Sequence, residues 1–265
     1  VDPVEFTLKN MRRPTEDRPF TNYSLDEVIE TGAQQFNWQA RRRLTPGSDE
    51  GPIKRGAGFS FMMFRSGLGT SSAIVRVNAN EEYTLFVGVT DIGPGAKTTM
   101  GMIAAEALGV PLSQVEVVSG DTDRCPYSVG ESGSRTTIMT GGAVVQAAEN
   151  LKQQIVSRGM PTGGDVLIGS ATPIPSTDGK TRQCFGAHFV EVEVDTRVGA
   201  TRILKYTTVH ESGRIINPTT ARDQIRGATL QGIGQALHED LLYDDATGQP
   251  LTPGYYRARH LTHLD

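Results

Sequence analysis

Three short segments carry residue types that can grip a polar ligand through backbone amides and hydroxyls. The first is Asp91-Ile92-Gly93-Pro94-Gly95-Ala96-Lys97-Thr98. The second is Glu131-Ser132-Gly133-Ser134-Arg135-Thr136-Thr137. The third runs from Asn217-Pro218 to Asp223-Gln224-Ile225-Arg226-Gly227. Each passes from extended chain through small residues into a helical pattern. A helix start exposes unpaired N–H groups and a partial positive charge. Glycine lets a ligand approach that backbone, and serine or threonine hydroxyls add further bonds. The chemistry on offer is a cradle for phosphate or a polar ring system. The first segment is not a Walker A loop. That pattern needs glycine directly before the lysine and again six residues before it, and Ala96 and Asp91 stand there. Lys97 therefore reads as a surface or capping lysine.

The other reactive side chains read as structural. Cys125 and Cys184 form no CxxC pair and no metal-ligand spacing with the five histidines, and an iron–sulfur site needs four spaced ligands. A disulfide is not expected, and a reducing, cytoplasmic location fits the cysteine usage. His188 and His210 fall in strand patterns and His238 at a helix end, where packing or capping is the expected role. Net charge is −4, and the basic runs Arg12-Arg13 and Arg41-Arg42-Arg43 are short, so no nucleic-acid partner is expected. No apolar run is long enough to span a bilayer. The start, Val1-Asp2-Pro3, lacks an initiator methionine and signal-peptide anatomy, so the chain reads as a piece of something longer.

The elements that must position the loops follow from periodicity. Val4 to Asn10 reads as a short helix. Ser24-Leu25-Asp26-Glu27 is a capping box opening an amphipathic helix to about Trp38, and 39–56, with Pro46-Gly47, reads as a loop. Phe59 to Phe64 is a strand, and Ala73 to Val77 with Tyr83 to Val89 form a hairpin. A helix opens after Gly95 and stops at Leu108-Gly109, and Val115 to Val118 is a short strand. The second glycine loop feeds a helix to about Arg158. Gly141-Gly142 inside that helix calls for a close-packing or ligand reason, because mid-helix glycine costs about 1 kcal/mol relative to alanine. Residues 159–182 show no clear period, and the abrupt change at Met160-Pro161 is read as residues missing there. Phe185 to Asp195 and Thr201 to His210 alternate as strands, with Glu191, Glu193 and Asp195 on the expected solvated face. A final helix, about Thr219 to Glu239, carries Ile225, Leu230, Ile233 and Leu237 on its apolar side. The fold class is α+β, with mixed and antiparallel sheets and packed helices in two related subdomains. The expected segments are 1–56, 57–160 and 161–265.

Taken in order, these motifs resemble a known family. Gly93-Pro94-Gly95 and Ala104-Ala105-Glu106-Ala107-Leu108-Gly109-Val110-Pro111 are similar to the GQG loop and following helix of molybdopterin-binding subunits of the xanthine dehydrogenase/aldehyde oxidase family. Gly120-Asp121-Thr122-Asp123, Ser132 to Thr137, Gly141-Gly142-Ala143-Val144, Ala187 to Asp195, Gly213 to Pro218 and Gln224 to Gly234 follow in the family's order. The resemblance covers most of the chain. It implies a molybdopterin cofactor, or its cytosine dinucleotide, held by Gly93, Pro94, Gly95, Gly133, Ser134, Arg135, Thr136, Thr137 and Gln224. Pro94 departs from the family's glutamine and offers neither a side-chain amide nor an N–H. The resemblance also implies an oxidoreductase that hydroxylates an aldehyde or an N-heterocycle with oxygen from water. Electrons would leave through 2Fe-2S and FAD on partner subunits, in a heteromer or a dimer of heteromers. The partners implied are an iron–sulfur subunit, an FAD subunit, the rest of the molybdenum subunit and a small-molecule substrate. The family's general-base glutamate lies in a Gly-Glu-Pro-like motif after a segment matching Tyr255-Tyr256-Arg257, and no Gly-Glu-Pro occurs in this sequence. No catalytic residue and no protein metal ligand is therefore assigned, and the alternative reading is a cofactor-binding module without turnover. Glu131, beside the second loop, is expected to do ordinary loop chemistry.

Overall fold

A computed structural model describes residues 1–42, 49–67, 69–173, 179–254 and 260–262. Arg43, Pro46-Gly47 and Tyr255-Tyr256-Arg257 lie outside the described residues. The chain divides into two compact units, Val1–Ile216 and Asn217–Asp265. The fold is α+β with one antiparallel and one mixed sheet, as expected from the sequence.

The first sheet has the order β1-β6-β7, all antiparallel, with β1 Ile53–Arg65, β6 Gln183–Asp195 and β7 Ala200–Glu211. Helices α1 Pro3–Asn10, α2 Leu25–Phe36 and α3 Trp38–Arg41 belong to the same core. Leu25, Ile29 and Phe36 of α2 are fully buried with Phe185, Ala187 and Phe189 of β6. Asp2 caps α1 by accepting from the Val4 N–H at 2.8 Å and also holds Trp38 Nε1 at 3.1 Å and the Arg42 guanidinium. The N-terminal helices thus share a core with strands almost two hundred residues away.

The second sheet has the order β4-β3-β2-β5, with β2 Ala73–Asn78, β3 Tyr83–Val87, β4 Val115–Ser119 and β5 Val166–Ala171. Only the β3–β4 pair is parallel. Parallel neighbours need a crossover, and α4, Ala96–Leu108, supplies it. Helices α4 and α5 (Thr136–Arg158) cover one face, burying Met100, Ala104, Ala143, Ala147 and Leu151 against Val75, Leu85 and Val87.

Several local expectations need correction. Ser24 is the N-cap of α2 but makes no side-chain cap bond, and its buried Oγ has no partner among the described residues. Helix α2 stops at Phe36 because Asn37 takes φ 61°, and Trp38 opens a separate short helix. The stretch expected as loop to residue 56 instead enters β1 at Ile53. Strand β5 arises in the segment that showed no period. Gly169 on it meets the backbone of α5 closely enough that an added Cβ would collide with Ala147 and Leu151. The charged face of β6 is not simply solvated. Glu191 is 6% exposed and pairs with Arg41, because period two puts it on the side of Phe185, Ala187 and Phe189. Of the two mid-helix glycines, Gly141 has a packing reason, with an added Cβ falling 3.0 Å from Ile103 Cδ1. Gly142 faces open space.

In the second unit α6, Pro218–Leu237, starts at Asn217, whose side chain accepts from the N–H groups of Thr219 and Thr220. Of its expected apolar side, Leu230 remains 56% and Leu237 38% exposed, and Gly234 is its buried residue. Among the described residues no helix is long and apolar enough to cross a membrane.

Candidate functional site

The parallel pairing of β3 and β4 fixes where the two glycine loops begin. Val87 is in register with Ser119, so both strands end at the same sheet edge. The chain leaving β3 becomes the first loop and enters α4. The chain leaving β4 becomes the second loop and enters α5. Loops beyond the carboxyl ends of parallel strands are the usual ligand position of such sheets.

Close backbone contacts draw the loops together. An added Cβ at Gly88 would collide with the Pro126 carbonyl oxygen and lie 3.0 Å from Ser128 Cβ and 3.1 Å from Ser128 N. The Ser72 N–H donates to Tyr127 O at 2.8 Å, and the Val129 N–H donates to Ser71 Oγ at 3.2 Å. Glu131 then joins the second loop to the first. Its Oε1 accepts from the Thr90 N–H at 3.1 Å and its Oε2 from the Thr90 hydroxyl at 2.6 Å. Gly88 and Ser71 carry no site signal in the sequence, and Glu131 is expected there to do only ordinary loop chemistry. Their partners lie 38 to 58 positions away.

Within the first loop the start of α4 is filled by the chain itself. Asp91 Oδ1 accepts from the Gly93 N–H at 3.1 Å and the Gly95 N–H at 3.0 Å. The Gly93 N–H above all, with those of Gly95, Lys97 and Ala96, holds the Asp91 carboxyl below the usual carboxylate range. Gly95 is the N-cap, with φ 79°. With the anion seat occupied, Gly93, Pro94 and Gly95 offer a ligand a small-residue surface, and Pro94 contributes no N–H to it. Lys97 is exposed, as a surface lysine should be.

The second loop is organised differently. Gly133 and Ser134 have φ 63° and 52°, a left-handed pair that turns the chain into α5. Helix α5 begins without a bond from the side chain of its N-cap Arg135. The Arg135 guanidinium bends back to Val129 O at 2.8 Å, Ser132 Oγ at 2.6 Å and Gly130 O at 3.3 Å. It stiffens the loop, while the amides that open the helix keep their partial positive charge. Gly133 and Ser134 are exposed, and an added Cβ at Gly133 meets nothing within 4 Å. The glycine there answers the backbone sign and leaves free space over the loop. Thr136 is half-buried, Thr137 exposed, and the Thr140 hydroxyl one turn on is buried without a partner among the described residues. Ile92 and Tyr127, on the same two loops, are 71% and 66% exposed.

The structure thus brings Gly93 to Gly95 and Gly133 to Thr137 to one sheet edge. Gln224 lies exposed on α6 of the second unit. His188 Nδ1 is 3.0 Å from the Tyr206 hydroxyl and its ring packs edge-on to His210, a strand-face contact away from these loops in sequence and sheet. Cys125 and Cys184 are free thiols, and burial pushes Cys184 up. Among the described residues no group of three or more His, Cys, Asp or Glu is placed to hold a metal ion.

A pair of glycine loops tied at one sheet edge, one ending in an uncapped helix start, is the architecture of a cofactor-holding domain. The chain belongs to the molybdopterin cofactor-binding domain family, whose sequence model matches residues 31–162 and 170–265. It is 34% identical over 280 residues to an Escherichia coli K12 aldehyde oxidoreductase molybdenum-binding subunit, covering 94% of this chain and 38% of that one. A putative xanthine dehydrogenase molybdenum-binding subunit of the same organism is 30% identical over 301 residues, covering 96% and 40%. Among solved structures, quinoline 2-oxidoreductase from Pseudomonas putida 86 superposes with TM-score 0.86 at 26% identity, over 100% of this chain and 41% of that one. The aldehyde oxidoreductase of Desulfovibrio gigas gives TM-score 0.75 at 28% identity, over 91% and 29%. The chain therefore spans well under half the length of these relatives.

Proposed function

We propose that this chain is part of the molybdenum-binding subunit of a molybdenum hydroxylase and holds molybdopterin against its two glycine loops. The observation that carries this reading is the uncapped start of α5, opened by left-handed Gly133 and Ser134 and tied to the Gly93–Gly95 loop. The fit is good for a polar cofactor with a phosphate. The opening amides of α5, with the hydroxyls of Ser134, Thr136 and Thr137, offer donors to phosphate oxygens. Arg135 fixes the loop that presents them. Gly93, Pro94 and Gly95 line a ring system without side-chain crowding, and Gln224 is assigned a side-chain amide contact on the family resemblance alone. When bound, the group supplies the redox chemistry that hydroxylates an aldehyde or N-heterocyclic carbon with oxygen from water. The residues described here bind and orient it, and none is assigned as general base.

The reading extends to a heteromer with 2Fe-2S and FAD partner subunits, located in the cytoplasm. Turnover then requires the rest of the molybdenum subunit. The test is to purify the assembled enzyme from a host that makes molybdopterin and measure molybdenum and pterin per chain. Near-equal amounts support the reading, and absence of both refutes it. An electron-acceptor assay over aldehydes, purines, other N-heterocycles and acyl-CoA aromatics then selects the substrate class. No turnover by a fully loaded complex would leave a cofactor-binding module.

A further inference from the structure

We propose that Glu131 is a positioning residue that locks the two glycine loops into one cradle. The proposal rests on the molybdopterin reading and adds to it a residue outside the glycine pattern. Glu131 bonds through both carboxylate oxygens to one residue, Thr90, at 3.1 Å to its N–H and 2.6 Å to its hydroxyl. Two bonds to one partner fix orientation as well as distance. Thr90 sits between the fully buried Val89 and the turn made by Asp91, so a grip on Thr90 sets where that turn starts. On the other side, Arg135 bonds to the carbonyls of Val129 and Gly130 and to Ser132 Oγ, bracketing Glu131 and holding its backbone. Asp91 is committed to Gly93 and Gly95 and cannot substitute. With both oxygens bonded to Thr90, Glu131 is placed to hold geometry. A cofactor lying across both loops needs them at one fixed separation, which neither loop sets by its own turn.

The test uses the assembled enzyme with Glu131→Ala, Glu131→Gln and Thr90→Val. Amide hydrogen exchange is followed over residues 88–95 and 129–137, with 100–108 inside α4 as reference, alongside molybdopterin per chain. Glu131→Ala should speed exchange in both loops about tenfold, the factor for losing a bond to a charged acceptor, and leave the reference unchanged. Molybdopterin content should fall with it. Glu131→Gln should restore most of both, since its amide oxygen can accept from the Thr90 N–H and its NH2 can donate to the hydroxyl. Thr90→Val, which keeps Glu131 and removes the hydroxyl alone, should loosen 88–95 in a folded chain. Unchanged exchange in both loops, or no rescue by glutamine, overturns the proposal. Should Glu131→Ala fail to fold, Thr90→Val decides, and unchanged exchange there overturns it. Wild-type enzyme without pterin would refute the molybdopterin reading while the exchange result still judges the link.

Discussion

Replacing Gly88 by alanine tests whether close backbone approach positions the second loop. Its φ is not in the left-handed region, so alanine suits the local conformation and the effect is steric. The new Cβ would lie 3.0 and 3.1 Å from Ser128 atoms, where ordinary contact begins near 3.4 Å, and would collide outright with the Pro126 carbonyl. The Pro126–Ser128 backbone has to retreat by at least a few tenths of an ångström. Overpacking of this kind costs about 1–3 kcal/mol. In a domain of this size that lowers Tm by roughly 2–12 °C. Because Glu131 and Gly133 follow within five residues, the displacement also moves the amides that open α5. Losing one or two of their bonds, at roughly 1 kcal/mol each, weakens cofactor binding about 5- to 30-fold. Calorimetry and cofactor titration of the apo-enzyme measure the two effects. A Gly88→Ala enzyme with wild-type Tm and wild-type affinity would refute the argument that this contact sets the loop.

Gly142→Ala should raise stability by up to about 1 kcal/mol, because its Cβ meets nothing and alanine is the better helix former. Gly141→Ala should lose that gain against Ile103, and thermal melts of the pair give the comparison. Removing Arg41 leaves Glu191 buried without its partner and should cost about 3 kcal/mol. The Arg41→Met, Glu191→Leu double variant should recover much of that in denaturant titration, and an equal or larger loss in the double variant would contradict the pairing. Burial holds His188 and His210 below the usual 6.5, and His210 lowers His188 further. The unfolded chain therefore takes up protons near 6.5 while the native one does not. This contribution is complete above about pH 6.5 and is lost as pH falls below it. Tm measured from about pH 7.5 down to about 5 should drop, and less steeply in a His188→Gln, His210→Gln variant. A variant profile parallel to the wild type would contradict it.

The local grammar of the site was legible in the chain alone. Gly93 and Gly95 before an apolar-periodic helix, Gly109 after it, and Gly133 before another announce helix starts and stops because glycine takes the positive φ of those positions, which few other residues adopt. Period and turn residues likewise marked the hairpin of β2 and β3 and the pairing of β6 and β7. Strand β5 stayed hidden because its burial comes from α5 lying over Gly169, a contact with no imprint on local alternation. The buried state of Glu191 stayed hidden because a charged residue reads as solvated until Arg41, 150 positions away, is brought against it. The residues that join the loops are of the same kind. Gly88, Ser71 and Glu131 acquire their roles only when parallel β3 and β4 end at one edge. Sequence determined which segments could turn and present amides, since that is a property of neighbouring residues. Tertiary structure decided which segments meet at one sheet edge and what fixes their spacing, since those bonds join residues far apart along the chain.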